Sequence, residues 1–194
     1  MTGTAGRLYR APPRWQARTM RAFAALVPLL LAASGAAADY PLACIRTTAG
    51  GEVDSLAGCA RREADGTPRL APEQVRRLVF NRRGLAAVGI DGGWYYFRRD
   101  GASAPVMTLD NWAEEFVDGR ARSQLGGKIG FIDPDLHLVI PRRYDGALPF
   151  DHGIARVCTG CTLVSDGEHQ AWEGGRWTRI DRDGRELPSA PAGS

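Results

Sequence analysis

The chain has 194 residues, enough for one domain with appendages, and its 44% hydrophobic and 24% charged residues exclude both a wholly disordered chain and one made mostly of membrane spans. The formal charge is +3, and of the 25 basic residues Lys128 alone is lysine. That charge has meaning only once it is located along the chain.

Residues 1–38 carry five arginines (Arg7, Arg10, Arg14, Arg18, Arg21) and no acid. The apolar run Phe23–Ala33 follows, and then Ala36-Ala37-Ala38. A basic start, a short apolar run and an A-x-A site predict a secretory signal peptide over 1–38, with Met20 as an alternative start. The apolar run is about half the roughly 20 residues a membrane-spanning helix needs, so the alternative of an uncleaved anchor is disfavoured. Pro41-Leu42-Ala43 before Cys44 matches a lipidation site poorly. Removing the five leader arginines from the 25 basic residues leaves 20 against 22 acids, a charge of −2 after Ala38. The basic excess thus belongs to the leader, and no basic patch for nucleic acid is predicted. The expected location is periplasmic or secreted, with membrane contact only through the signal peptide.

Residues 39–80 hold Cys44 and Cys59 around a Gly/Thr/Ser-rich stretch. Pro72, followed by Val75, Leu78 and Val79, predicts a short helix with one apolar face. This segment is expected to cap one end of a repeat array.

Self-similarity dominates the rest. GLAAV begins at Gly84, GRARS at Gly119 and GIARV at Gly153, at spacings of 35 and 34. Phe116 and Phe150 stand three residues before Gly119 and Gly153; Asn81, next to Phe80, replaces them in the first copy. Trp94–Phe97 (WYYF), Ile129–Ile132 (IGFI) and Trp177–Ile180 (WTRI) recur within the units, the third delayed by an insertion of about 14 residues. Turn signals follow each: Arg99-Asp100-Gly101, Asp133-Pro134-Asp135 and Arg182-Asp183-Gly184. The first two lead to segments ending at Asp110 and Asp145. Each unit therefore reads strand, turn, strand, turn, strand. Alternation puts Ile129 and Phe131 on one face, Gly130 and Ile132 on the other. The units lie near 84–118, 119–152 and 153–187 of a domain over 81–187, followed by a disordered tail over 188–194. A unit this short cannot bury its apolar face alone, so neighbours must stack.

On these residues the chain resembles the WG-repeat (KWG-like) family. The segment 116–157, with F-x-x-G-x-A, G-K-x-G-x-I-D, an I-P step and Y-D, carries the resemblance, which extends over about 80–187. No unit has a literal Trp-Gly pair: Trp94 precedes Tyr95, Ile129 precedes Gly130, and Trp177 precedes Thr178. The resemblance implies a β-rich repeat architecture and an interaction or binding module with no shared catalytic motif.

Four cysteines after a signal peptide predict disulfides. Three pairings are possible, and proximity favours Cys44–Cys59 and Cys158–Cys161. Cys158-Thr159-Gly160-Cys161 has rival readings. A redox pair needs a helix after the first cysteine, which TLVSDGEH does not provide. Zinc would take Cys158, Cys161 and His169, with His152 fourth, at loose spacing. Thr162 excludes the haem-attachment motif. His137 between two leucines reads as a solvent-facing strand residue, and His152 as a turn residue. Ser165, Asp166 and His169 are neighbours on one loop and cannot converge as a triad. Glu114-Glu115 reads as a solvated face. Among the aromatics Trp94, Tyr95, Tyr96, Phe97, Trp112, Trp172 and Trp177, the WYYF strand puts rings on both faces. Either packing between units or an exposed pair that anchors a peptide or glycan, with Trp112 beside it, accounts for them.

The expected fold is mainly all-β: antiparallel β-hairpin repeats stacked into one sheet-rich domain, with a short N-terminal helix as cap. The expected function is non-enzymatic binding of another envelope protein or peptide, without cofactor or nucleic acid. The alternative is a thiol redox or metal-binding protein built on Cys158 and Cys161.

Overall fold

The computed structural model describes residues 39–165, 167 and 170–188. The predicted signal peptide, and the predicted tail beyond Pro188, lie outside the described residues. The chain is mostly antiparallel β, as the periodicity required. Strands β1 (Leu42–Thr47), β2 (Val53–Arg62) and β3 (Pro68–Leu70) precede a single helical turn, α1 (Pro72–Val75). Three meanders follow. The first is β4 (Ala86–Ile90), β5 (Gly93–Phe97) and β6 (Ser103–Val106), then a small ribbon of β7 (Thr108–Leu109) and β8 (Trp112–Ala113). The second is β9 (Ala121–Leu125), β10 (Lys128–Ile132) and β11 (Leu138–Tyr144), then β12 (Gly146–Ala147). The third is β13 (Ile154–Ser165), β14 (Gln170–Asp181) and β15 (Glu186–Leu187).

The register shows the repeat directly. Ala86 faces Phe97, Ala121 faces Ile132 and Ala155 faces Ile180. In the first two units the hairpin closes four residues further on, through Asp91-Gly92 and Gly126-Gly127, both residues of each turn at positive φ. Such turns match the right-handed twist of the flanking strands.

The N-terminal segment is not the expected helical cap. Its helix is only Pro72–Val75, and Val79, expected on its apolar face, is exposed. The cap is instead made of strands. Cys44, Ile45 and Arg46 of β1 pair with Ile90, Gly89 and Val88 of β4, giving a six-stranded sheet in the order β3-β2-β1-β4-β5-β6. The reason is hydrogen bonding: β4 would otherwise present an open edge, and a strand satisfies its N–H and C=O groups where a helix cannot. This sheet curls like a barrel until its outer strands approach, and the Ser103 hydroxyl donates to the Pro68 carbonyl at 3.3 Å. The remaining sheets are β11-β10-β9 and β12-β13-β14-β15.

Burial alternates with the units. One face of β5 sends Tyr95 and Phe97 into a core with Cys44, Cys59, Val88 and Ile90. Its other face sends Trp94 and Tyr96 into a second core with Ala121 and Ile132 of the next meander. The opposite face of β10 sends Ile129 and Phe131 into a third core with Ala155, Val157 and Ile180. The first and second meanders thus each complete two cores and the third completes one, which is why none folds alone.

Gly130 marks a local departure from the repeat. Tyr95 occupies the same place in the first unit and pairs regularly with Pro105. In the second unit Ile129 faces Tyr144 while Phe131 faces Ile140, so three residues of β11 arch over Gly130. A methyl group there would run into the Ile140 carbonyl and lie 2.8 Å from the backbone of Pro141 and Arg142. Backbone cannot swing aside as a side chain can. Gly130→Ala is expected to cost about 1–3 kcal/mol or more, read as a fall in the urea midpoint; an unchanged midpoint contradicts the close approach.

Candidate functional site

The sequence-predicted chemistry centres on the third hairpin. Ala155 and Ile180 are 25 residues apart, against 11 for each equivalent pair in the other units. The extra 14 residues are Cys161–Gly174. They begin after Gly160 and end before Gly175, the places where the other hairpins turn. Both glycines have positive φ, 78° and 66°. A side chain at Gly175 would meet the Cys158 sulfur at 2.6 Å and the Thr159 carbonyl at 2.7 Å. The hairpin therefore continues through a former turn as a longer arm, and Thr159↔Arg176 is followed directly by Cys161↔Gly174.

Cys158 and Cys161 form a disulfide across this junction, and Cys44 forms one with Cys59. These are the two pairings that proximity favoured. Both sulfurs at the junction sit on a β-strand, Cys158 fully buried and Cys161 7% exposed. The bonded pair lies along a strand and not at a helix N-terminus, and exchange needs an accessible sulfur, so the redox alternative is not favoured. Nor is zinc: the sulfurs bond each other, and His152 is exposed in its turn, paired with Asp151 at 2.7 Å. His169 and Asp166 lie outside the described residues. Asp145 ties the junction to the second meander. It accepts the Gly160 N–H at 2.7 Å and the Lys128 ammonium at 2.5 Å, and these bonds, the first above all, hold its carboxyl below the usual range. Inside the arm, Trp172 packs against the third core, and with Cys161 it closes over Gly146.

Two further readings change. His137 is exposed but lies in the turn before β11, not on the strand. Its N–H and that of Asp135 both bond the Asp133 carboxylate. Asp133, Asp135 and His137 are close enough to hold a cation, yet Asp181 makes the same turn with the N–H groups of Asp183 and Arg185. The arrangement is therefore a turn device of the repeat. Glu115 is solvated as expected, but Glu114 is buried, 3% exposed. Its carboxylate takes the Arg122 guanidinium at 2.6 Å and the Arg122 N–H at 3.1 Å. Arg122 also donates to the Ala147 carbonyl at 2.7 Å. One buried pair thus ties the end of the first meander to both the first and the last strand of the second. The sequence signal available was Arg122, directly after the repeated G-x-A motif of GRARS, where Ala87 stands in GLAAV.

Trp94, Tyr95, Tyr96 and Phe97 are all buried, so of the two readings of the WYYF strand the packing one applies, and both faces of β5 are core. Trp112 is half-buried and leans on Trp94, ring centroids 4.2 Å apart. The Tyr96 hydroxyl donates to the Glu114 carbonyl at 2.9 Å. Burial, with the charges of Glu115 and Glu114, pushes its pKa up to about 12.

A cleft that the sequence did not single out opens at the seam of the curled sheet. Its volume is about 690 Å³, and it is lined by β3, the residues around α1 and the Arg99–Ser103 segment. Leu70 and Val75 supply apolar surface; Arg69, Arg76 and Arg99 supply cations. The two carboxylates at its rim are already paired, Glu63 with Arg61 at 3.1 Å and Asp100 with Arg98 at 3.9 Å.

Residues 129–160 match the family model described as WG containing repeat. No curated protein and no solved structure matches the chain. The matched segment runs from β10 to Gly160 and stops where the inserted arm begins, so this stretch of the protein is similar to the WG containing repeat.

Proposed function

We propose that the protein is an exported, non-enzymatic repeat protein of the KWG-like kind, acting as a protein-interaction or ligand-binding module of the cell envelope. The observation that carries the reading is the WG-containing-repeat match over residues 129–160, set in three stacked meanders. Two disulfides are consistent with an oxidising compartment and support export, as does the leader over 1–38. Among the described residues no helix is long and apolar enough to cross a membrane.

The test is fractionation joined to crosslinking in the native cell. The expected result is a mature chain starting at Asp39 in the periplasmic or secreted fraction, crosslinked to an envelope protein or peptide that copurifies stoichiometrically. A full-length chain with free thiols in the cytosol overturns the export part. An exported chain with no partner, turning over a substrate, overturns the binding part.

A further inference from the structure

We propose that the seam between β3 and β6 binds an extended peptide segment bearing a carboxylate side chain. The inference rests on the interaction-module reading above and names where and what that module binds.

The backbone at the seam is the first argument. The Glu63 N–H donates to Thr67, and the Ala71 N–H to Cys59. The bonded pairs between β2 and β3 therefore fall on odd-numbered residues, with Arg61 facing Arg69 between them. The N–H and C=O of Leu70 point the other way, toward the seam. On β6 the Arg98 N–H donates to Ala102, so the bonded pairs fall on even-numbered residues there. The N–H and C=O of Ser103 also point toward the seam. Among the described residues no strand pairs with β3 beyond β2, or with β6 beyond β5. Two short edges thus present strand-type donors and acceptors to one cleft, and an extended backbone is the ligand that matches them.

Shape and charge narrow the ligand. The edges are bridged at Pro68 and Ser103, and the cleft lies beside that bridge, between Leu70–Arg76 and Arg99–Ala102. At about 690 Å³ it suits a few residues of peptide rather than a folded surface. Leu70 and Val75 offer an apolar floor for one side chain. Glu63 and Asp100 are occupied by Arg61 and Arg98. Arg76 and Arg99 have no carboxylate within ion-pairing distance among the described residues. Arg99 is held in place by the Phe80 ring, 4.3 Å from its guanidinium carbon. Guanidinium groups without a carboxylate partner, one of them held on a ring, favour a carboxylate and disfavour a cation.

The experiment is an amide NMR titration of the disulfide-bonded protein. The probe is an end-blocked hexapeptide alternating valine and glutamate; the controls are its valine/lysine counterpart and inorganic phosphate. Saturable shifts are expected at the Leu70 and Ser103 amides with the acidic peptide alone, weakening as salt is added. Arg76→Glu, at an exposed position that leaves the fold intact, is expected to weaken binding about tenfold, and Arg76→Glu with Arg99→Glu further. Four results each overturn the inference: no saturable shift, equal binding of the lysine peptide, shifts centred elsewhere, or full reproduction by phosphate. Unchanged affinity in Arg76→Glu also overturns it. If the peptide fails while the envelope partner still crosslinks, the seam is not the site and the module reading stands. If the peptide binds at the seam but no partner crosslinks in the cell, the seam inference stands and the envelope role fails.

Discussion

Arg122→Ala is expected to destabilise the protein by about 3–5 kcal/mol. The change leaves Glu114 as an uncompensated charge, 3% exposed, and strips the Ala147 carbonyl of its donor. Glu114→Ala is expected to cost a similar amount, because the guanidinium is left buried without its counter-ion and its Nε–H and the Arg122 N–H both lose their acceptor. The double variant Glu114→Leu with Arg122→Met separates the charge from the network. Replacing both ions by apolar groups removes the desolvation penalty. It still leaves the Arg122 N–H and the Ala147 carbonyl without these partners, at about 1–3 kcal/mol each. Partial recovery relative to either single variant is therefore expected in urea unfolding. Additive losses in the double variant contradict the geometry, since they imply two groups that do not meet.

Removing Cys44–Cys59 is the second large effect. The bridge spans 15 residues, and closing such a loop is worth about 3 kcal/mol by chain entropy. Both cysteines are also core side chains, 1% and 2% exposed, beside Val88 and Ile90. Cys44→Ala with Cys59→Ala is expected to lose about 2–5 kcal/mol and to loosen β1 from β2. The Cys158–Cys161 bridge closes a separation of only 3 residues, and its removal in Cys158→Ala with Cys161→Ala is expected to cost about 2 kcal/mol or less. Denaturant midpoints of the two double variants check the order. If the Cys158/Cys161 variant proves the weaker protein, loop length is not what governs these bridges.

Periodicity made the meanders legible. The G-x-A motifs at Gly84, Gly119 and Gly153 lead into β4, β9 and β13, and the 14-residue delay is the arm Cys161–Gly174. Local signals misled where long-range pairing decided. Pro72 with Val75 and Leu78 has the start and spacing of a helix, and one turn forms. The backbone edge of β4 is a stronger demand, and β1 meets it. Glu114 beside Glu115 reads as solvated because nothing local shows that Arg122 will lie opposite, 8 residues on. The WYYF strand left two faces open to interpretation. Stacking buries both, which removes those rings from any exposed surface.

The sequence by itself determined the β class, the unit length, the place of the insertion and the favoured disulfide pairings. These follow from alternation, turn residues and chain proximity, all of which act within a few residues. Only the tertiary structure decided that the cap is a set of strands, that a buried ion pair joins the meanders, and that the sheet curls to leave a seam between β3 and β6. Each depends on which distant backbone edge or charge a segment meets, and unsatisfied hydrogen-bonding groups and buried charges are costly enough to override local preference.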